Sequence, residues 1–171
     1  MSNPRQLPLL DAADVRILEL LQRDAQIENQ ELARRVHLSP AACLRRVRRL
    51  RETGIIARTV ALLDPRQLGL NIQACAFVAL ENHRASSGRQ FESVVLRRPE
   101  IIECTRLSGA YDYLLRIAVE TMEKYSALLD EHLLPLPAVR SISTSFELGT
   151  LKRTTELPLP APAGKRRLPR R

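Results

Sequence analysis

The sequence predicts an α+β protein in which a small helical domain precedes a domain of alternating strands and helices. Residues 11–53 contain three segments whose apolar residues recur at helical spacing. Residues 71–148 alternate between short apolar runs typical of strands and amphipathic segments typical of helices. Charge divides the chain in the same way, because residues 34–58 hold eight arginines and one acid, whereas residues 65–157 hold eleven basic and eleven acidic residues. We therefore expect two domains with different functions.

The composition limits the class of protein and its partners. Of the 171 residues, 44% are hydrophobic, which is enough to form packed cores, and the net charge is +8. Positive charge concentrated in one part of the chain favours a nucleic-acid partner. The three cysteines and three histidines are scattered, so we expect buried free thiols, no metal and no cofactor. Because no run of ~18 apolar residues occurs, we expect a cytoplasmic protein with no membrane partner.

The first two predicted helices are short and closely spaced. Asp11 can act as the N-cap of the first helix, with Asp14 three positions on. Asn29 is the predicted N-cap of a second helix that ends at Val36. His37 then occupies a turn position that requires a positive φ, which His tolerates better than most residues. This arrangement, followed by a third helix, is typical of a helix-turn-helix unit.

The third predicted helix, residues 39–53, contains five arginines. Ser39 can act as its N-cap, Pro40 suits its first position, and Gly54 can end it in the left-handed conformation. Helical spacing places an apolar stripe on one face and the arginines opposite it or at its borders. The stripe consists of Cys43, Leu44, Val47 and Leu50.

In helix-turn-helix proteins, the first residues of this helix contact base edges. The residues predicted to lie at the bases are Ser39, Pro40, Ala41, Ala42, Arg45 and Arg46. The residues predicted to contact phosphates are Arg34, Arg48, Arg49 and Arg58. Two alternatives remain open: Arg46 could be a structural ion-pair partner, and the whole basic face could simply be solvated.

The C-terminal domain is predicted to follow a connector of residues 57–70, which separates domain 1–56 from domain 71–157. The predicted elements are strand 71–80, a helix from Ser86 or Ser87 through Arg98, strand 101–107, strand 113–119, a helix capped by Thr121 and strand 139–148. The order βαββαβ is typical of the ferredoxin-like arrangement. Its helices cover one sheet face, so the apolar second face predicts a homodimer.

The last fourteen residues, 158–171, differ in composition from both domains. They contain four prolines, five basic residues and no acid. Such a segment cannot bury a core, so we expect a disordered tail. It could contact DNA phosphate or only aid solubility.

These features together resemble the Lrp/AsnC (feast/famine, leucine-responsive) family of prokaryotic transcription regulators over about residues 10–157. The matching residues are Leu10, Asp11 and Asp14, then Leu38, Ser39, Pro40, Cys43, Leu44, Arg46, Val47, Leu50, Gly54, Ile55 and Ile56, then Ser108, Gly109, Asp112, Tyr113, Leu114 and Leu115, and finally Leu136, Pro137 and Val139. The resemblance implies an N-terminal winged helix-turn-helix domain and a C-terminal ligand-binding domain. It also implies dimers that assemble further, often to octamers, and a response to amino acids.

The turn at residues 108–112 is the predicted effector site. Gly109 lets backbone N–H groups approach a ligand carboxylate, and Asp112 offers a carboxylate to a ligand ammonium. The resemblance places the effector pocket at the same turn, between neighbouring dimers. The predicted effector-binding residues are Leu107, Ser108, Gly109, Tyr111, Asp112, Tyr113 and Thr144. The alternative is that Asp112 only caps the hairpin, because Asp is ordinary in turns.

The sequence as a whole predicts a sequence-specific, DNA-binding transcription regulator that is modulated by an amino acid or a related small effector and is not an enzyme. One alternative is a tetrapyrrole-processing enzyme on the same fold, which would require histidines at a cavity. Another alternative is a nucleoid-organising, DNA-binding protein that needs no effector.

Overall fold

The structure is a computed structural model that describes residues 10–82 and 85–162. The chain divides into two compact units. The described residues of the N-terminal unit are 10–61 and 152–162, and the C-terminal unit covers residues 62–151. The chain therefore passes between the units at two points. The predicted α+β class, with a helical first domain and a ferredoxin-like second domain, is confirmed.

The N-terminal unit is built from three helices around one apolar core. The helices are α1 (Ala12–Arg23), α2 (Asn29–Arg35) and α3 (Pro40–Glu52). The buried core residues are Ile17, Leu18, Leu20, Leu32, Ala33, Val36, Cys43, Val47 and Leu50. Because all three helices contribute to this core, it fixes the orientation of α3 within the unit.

The ends of α1 and α3 are held as the sequence predicts. Asp11 and Asp14 form a complete capping box at the start of α1. The Ser39 hydroxyl accepts a hydrogen bond from the Ala42 N–H at 3.3 Å. Gly54 ends α3 with a φ of 75°, a value that favours glycine. These contacts satisfy backbone groups that a helix end leaves without partners.

Two predictions about the helices are wrong. Leu44 is 54% exposed and does not belong to the buried stripe of α3. It lies one position after Cys43, so the helix turns it ~100° away from the core. Glu28, not Asn29, occupies the N-cap position of α2, and it makes no side-chain cap. The Asn29 amide instead donates to the Pro40 carbonyl at 2.9 Å and ties the start of α2 to the start of α3.

The turn between α2 and α3 has the predicted geometry. His37 has a φ of 55°, the left-handed conformation that the motif requires at this point. After α3, Ile55 and Ile56 pack against the core of the unit. Residues 57–63 form neither helix nor strand.

The C-terminal unit follows the predicted βαββαβ order. Its elements are β1 (Ile72–Leu80), α4 (Ala85–Val95), β2 (Ile101–Arg106), β3 (Tyr113–Val119), α5 (Met122–Leu128), which continues into a π-helical turn at Leu129–Leu133, and β4 (Val139–Phe146). The strands form one antiparallel sheet in the order β2-β3-β1-β4. Helix α4 ends at Val95, three residues before its predicted end at Arg98, and Pro99 disfavours the helical conformation of Arg98 itself.

One face of the sheet packs on the helices, and the other is partly exposed. The buried residues of the packed side include Ala74, Ala76, Val78, Phe91, Val95, Leu115, Ile117, Tyr125, Leu128 and Leu133. On the other face, Phe77 and Leu114 are half-buried in the single chain. Arg116 shares that face and donates to Glu147 at 3.1 Å. The second face is therefore apolar only in part, and the homodimer stays a prediction.

The three cysteines are free, but their burial differs. Cys43 is buried in the core of the N-terminal unit, Cys75 is half-buried and Cys104 is exposed. The expectation that all three are buried is wrong for Cys104, because it lies on β2, one of the two edge strands of the sheet.

Residues 152–162 return to the N-terminal unit and lie against α1. The Gln22 side chain donates to the Leu157 carbonyl at 3.2 Å and accepts from the Leu157 N–H at 2.6 Å. Leu159 packs against the core of the same unit. Leu159, which lies in the segment expected to be a disordered tail, therefore has apolar partners in the helical unit. The rest of that segment, residues 163–171, lies outside the described residues. Across the described ranges, none of the helices has the length and apolar character needed to cross a bilayer.

Candidate functional site

The outward face of α3 presents two arginines that are available to an external partner. Arg45 and Arg48 are exposed and have no hydrogen-bond or ion-pair partner among the described residues. Because they are three positions apart, they are neighbours on the helix surface. Ala41 lies on the same face one turn earlier and is also exposed. Two neighbouring cations without an internal counter-ion form an anion-binding surface.

Two further arginines of α3 are held by the first helix. Arg46 Nη1 donates to Asp11 Oδ2 at 2.7 Å and to Asp14 Oδ1 at 2.8 Å. Arg49 Nη2 donates to Asp14 Oδ2 at 2.5 Å. The Asp14 side chain is only 1% exposed, so the two guanidinium groups balance a buried charge. These bonds favour the ion-pair alternative for Arg46 and give Arg49 a structural role that the sequence pattern does not predict.

The ionisation of this network follows from its contacts. The backbone N–H of Asp14 and the Arg46 guanidinium lower the pKa of Asp11 below its ordinary value. The carboxylates of Asp11 and Asp14 raise the pKa of Arg46. Asp11 and Arg46 thus each stabilise the charged form of the other. The ion pairs also link the capping box of α1 to the middle of α3.

The remaining predicted DNA-binding residues lie around the start of α3 and on its neighbours. Ser39 and Pro40 are exposed and Ala42 is half-buried at the first turn of α3. Arg34 on α2 donates through two nitrogens to Glu31, each at 2.7 Å. Together with Arg35, it lowers the pKa of Glu31 to about 2. Arg58 is exposed in the irregular segment after α3.

The turn between β2 and β3 borders a cavity of about 520 Å³ in the C-terminal unit. The lining residues are Leu80, Ala85, Gly88, Arg89, Arg106, Leu107, Asp112 and Tyr113. Three of them, Leu107, Asp112 and Tyr113, are predicted effector-binding residues. The other five come from the end of β1, from α4 and from the end of β2. Their spacing along the chain gave no signal that they would share a cavity with the turn.

Asp112 ties the turn to the end of β1. Its Oδ2 accepts from the Leu80 N–H at 2.8 Å. Its N–H donates to the Val78 carbonyl, and its carbonyl accepts from the Leu107 N–H, both at 2.8 Å. These three hydrogen bonds fit the alternative in which Asp112 caps the hairpin. The carboxylate nevertheless lies at the cavity wall, where its charge suits a ligand ammonium.

The other predicted effector residues lie near or away from this cavity. Ser108 and Gly109 are exposed in the turn, and Gly109 has a φ of 135°, which favours glycine. The Tyr111 ring contacts Phe77, with ring centroids 5.3 Å apart. The hydroxyl of Thr144 contacts the hydroxyl of Tyr125, and Thr144 does not line the cavity. The β1–β4 register explains this position, because it places Thr144 opposite Ala76 on the helix-covered face.

A polar cluster supports one side of the cavity. Tyr113 Oη donates to Glu92 Oε1 at 2.6 Å, and Arg106 Nε donates to the same oxygen at 2.7 Å. The two donors lower the pKa of Glu92, whereas burial, aided by Glu92, raises the pKa of Tyr113 to about 12. A Cβ at Gly88 would lie 3.2 Å from the Tyr113 hydroxyl, so the glycine leaves room for this cluster.

Comparisons with protein families cover both units. Residues 10–57 match the family model described as winged helix-turn-helix DNA-binding. Residues 73–157 match the model described as Lrp/AsnC ligand binding domain. The first match includes all of α1, α2 and α3, and the second includes the cavity-bordering turn and all of the sheet except Ile72.

Known relatives match over most of their own length. The leucine-responsive regulatory protein of Escherichia coli strain K12 is 40% identical over 148 residues, which cover 86% of this chain and 90% of that protein. The transcriptional regulator AzlB of Bacillus subtilis strain 168 is 35% identical over 151 residues, covering 88% and 96%.

A solved structure shows the same fold. The transcriptional regulator NMB0573 of Neisseria meningitidis, in complex with L-Met, matches with a TM-score of 0.83 and 36% identity over 87% of this chain and 96% of that one. Both domain matches, the near-full-length relatives and this shared fold lead to one conclusion: the chain belongs to the Lrp/AsnC family of transcription regulators.

Proposed function

We propose that this protein is a sequence-specific transcription regulator whose DNA binding or assembly is modulated by an amino acid or a related small effector. The observation that carries the proposal is the pair Arg45 and Arg48, exposed side by side on the outward face of α3 without a partner in the described chain. This helix lies inside the segment that matches a DNA-binding model. A basic recognition helix of this kind fits the major groove of double-stranded DNA.

The ion pairs within the N-terminal unit support different roles for the arginines of α2 and α3. Arg45 and Ala41, with Ser39, Pro40 and Ala42 at the helix start, form the proposed base-reading surface. Arg48 and Arg58 are the proposed phosphate contacts. Arg34, Arg46 and Arg49 already bind carboxylates within the unit. We propose that these three contribute to DNA binding by orienting α2 and α3, with any phosphate contact secondary.

The cavity beside the turn is the proposed effector site. Its volume of about 520 Å³ falls within the ~300–1,000 Å³ range of small-molecule sites. It places the cations Arg89 and Arg106 and the anion Asp112 around apolar side chains such as Leu80 and Leu107. An amino acid carries a carboxylate and an ammonium a short distance apart, which suits such a wall. The complex of the related regulator NMB0573 with L-Met supports this choice of ligand class.

We further propose a homodimer that assembles to even-numbered oligomers, with an octamer as the final state. The half-buried Phe77 and Leu114 on the second face of the sheet support a dimer, because a second copy would remove both from water. An effector pocket between dimers would be completed by residues of a neighbouring copy. Since the proposed target is chromosomal DNA, we propose a cytoplasmic location.

The histidines give no specific support to the tetrapyrrole-enzyme alternative. His37 lies in the helix-turn-helix turn, and His132 contacts Arg98 at 3.0 Å. Neither lines the described cavity, and His83 lies outside the described residues. The relatives reported above are named as regulators, which also favours regulation over catalysis.

The decisive experiment is a selection of genomic DNA fragments by the full chain, with and without a panel of amino acids. We expect enrichment of a small set of fragments and a change in affinity or oligomeric mass with one class of amino acid. Equal binding to all fragments, unchanged by every amino acid, would support the nucleoid-organising alternative instead.

A further inference from the structure

Leu44 on α3 is the one large apolar side chain among the described residues 10–56 that is mainly exposed, with 54% of its surface accessible. It does not pack against the core of the N-terminal unit, although Cys43 beside it is fully buried there. A single exposed leucine is ordinary on a protein surface. Its place on the helix therefore decides what it can bind.

Leu44 lies between Ala41 and Arg48 on the surface of α3. These residues come three positions before it and four positions after it, which is the spacing of neighbours on a helix. Both are exposed. A leucine on a helix also leans over the turn that precedes its own Cα. Leu44 therefore extends the outward face towards the first turn of α3, the part of a recognition helix that lies closest to base edges.

The charge around Leu44 selects the partner of this face. Arg45 and Arg48 are exposed beside it, and the one acid of α3, Glu52, is at the last position of the helix. An apolar protein surface would have to cover both guanidinium groups without balancing their charge, which is costly. Double-stranded DNA supplies phosphates for the arginines and a major groove wide enough for a helix. The occupant that fits this face is therefore DNA.

Thymine offers a leucine the most favourable contact in the major groove. It carries a methyl group at C5, whereas guanine, adenine and cytosine present hydrogen-bond donors or acceptors there. The Leu44 side chain has no polar atom, so it would cover such groups without giving them a partner. Against the thymine methyl, both apolar groups are removed from water, which is favourable.

We propose that Leu44, together with Ala41 one turn earlier, reads the methyl group of a thymine in the operator. The proposal rests on the proposed DNA-binding function and adds a chemistry that the arginines do not supply. Arginine reads bases with paired acceptors, chiefly guanine. Leu44 gives the same helix a preference for thymine, so the operator carries a thymine whose methyl group contributes to affinity.

The test is a cycle between one side chain and one methyl group. The DNA is an operator fragment obtained from the genomic selection, and each of its thymines is replaced in turn by deoxyuridine, which lacks only the C5 methyl. The full-length proteins are the unchanged chain, Leu44→Ala, Leu44→Met and the matched control Leu96→Ala. Leu96 is 84% exposed and belongs to the C-terminal unit. Fluorescence anisotropy measures the affinity of each protein for each duplex.

We expect a deoxyuridine position at which the unchanged protein loses ~3–5-fold in affinity, the effect of about one buried methyl group. Leu44→Ala should bind the thymine-containing operator at least ~3-fold more weakly than the unchanged protein. It should lose no further affinity at that position. Leu44→Met keeps an apolar side chain and should keep the sensitivity, and Leu96→Ala should match the unchanged protein. Thermal melting should show that Leu44→Ala is folded, because Leu44 lies outside the core.

Three results would overturn the inference. If deoxyuridine weakened binding at no position, the protein would read no thymine methyl. If Leu44→Ala kept the full sensitivity, another side chain would contact the methyl. If Leu44→Ala changed the oligomeric mass and left the sensitivity intact, this face would bind a second copy of the chain. Equal binding of the unchanged protein to all genomic fragments is a separate outcome, because it would refute the proposed function before any deoxyuridine duplex is compared.

Discussion

The outward face of α3 and the cavity beside the β2–β3 turn are built in opposite ways. The α3 face takes its residues from one continuous helix, so Ala41, Arg45 and Arg48 are neighbours because of helical spacing alone. The cavity takes its residues from β1, α4, β2, the turn and the start of β3, and its first and last residues, Leu80 and Tyr113, are 33 positions apart. A surface of the first kind can be read from a sequence pattern. A site of the second kind requires the sheet register.

The two sites also differ in how their charges are used. On α3, two arginines face outwards and two are bound by Asp14. At the cavity, Asp112 is tied to β1 and Arg106 to Glu92, while Arg89 is exposed on α4. Internal partners therefore decide which charged residues remain for a ligand.

The largest effect is expected from removing both outward arginines of α3. Arg45→Ala with Arg48→Ala should weaken operator binding by ~2–4 kcal/mol, because a good base contact contributes ~1–3 kcal/mol and a phosphate contact adds to it. Thermal stability should change little, since both side chains are exposed. Fluorescence anisotropy with a labelled operator measures the change in affinity.

The matched control removes the same charge from the C-terminal unit. Arg97 and Arg140 are exposed and have no side-chain partner among the described residues. The double variant Arg97→Ala with Arg140→Ala should keep operator affinity within a few-fold. Equal weakening in the two double variants would show that net charge, and not the α3 face, governs binding.

The second-largest effect is expected from weakening the ion pairs that bind Arg46 and Arg49 to Asp14. Asp14→Asn should lower the free energy of unfolding of the N-terminal unit by ~2–3 kcal/mol, because it weakens charge-assisted bonds to Arg46 and Arg49 and part of the capping box. Thermal melting measures this decrease. Glu19→Gln is the control, because its pair with Arg16 is exposed and should contribute less than ~1 kcal/mol. Identical melting of the two variants would contradict a structural role for the network.

The sequence predicted the elements and the helical surface more completely than the cavity. Caps at Asp11, Ser39 and Thr121 depend on local chemistry, and the structure confirms all three. The sequence could not assign Arg46 and Arg49 to Asp14, because their separation of more than thirty residues leaves no periodic signal.

The cavity shows a further limit of sequence reasoning. The sequence predicts that Thr144, on the last strand, faces the effector site, but the β1–β4 register directs it towards Tyr125. The sequence does not single out Arg89 or Arg106, since a lone arginine on a helix or at a strand end is ordinary. The turn itself was recognised, because Gly109 and Asp112 are typical turn residues.

The third effect separates the two roles of Asp112. Asp112→Asn keeps an oxygen that can accept from the Leu80 N–H but removes the negative charge. If the carboxylate binds a ligand ammonium, affinity for the effector amino acid should fall ~10–100-fold, in line with ~1.5–3 kcal/mol for a charge-assisted bond. Operator binding without effector should be unchanged. Calorimetry with the amino acid identified by the DNA selection measures the affinity.

The Asp112→Ala variant provides the comparison, because it removes both the charge and the bond to β1. Lower thermal stability in Asp112→Ala than in Asp112→Asn would confirm the hairpin tie. Wild-type effector affinity in Asp112→Asn would place the ammonium site elsewhere.

The smallest effect is a pH dependence at the cavity wall. The Tyr113 hydroxyl and Arg106 lower the pKa of Glu92, so the folded protein favours the carboxylate. This stabilisation is fully present above pH ~4.5, the ordinary pKa of the group, and is lost as the pH falls through the lower folded value. We expect at most ~1 kcal/mol, because Arg106 is largely exposed. Glu92→Gln should melt at a lower temperature than the unchanged protein at pH 7, and the difference should shrink below pH 4. Glu120→Gln, at an exposed site, should show no such convergence. A constant difference between Glu92→Gln and the unchanged protein from pH 7 to pH 3 would mean that Glu92 acts through its shape and not through its charge.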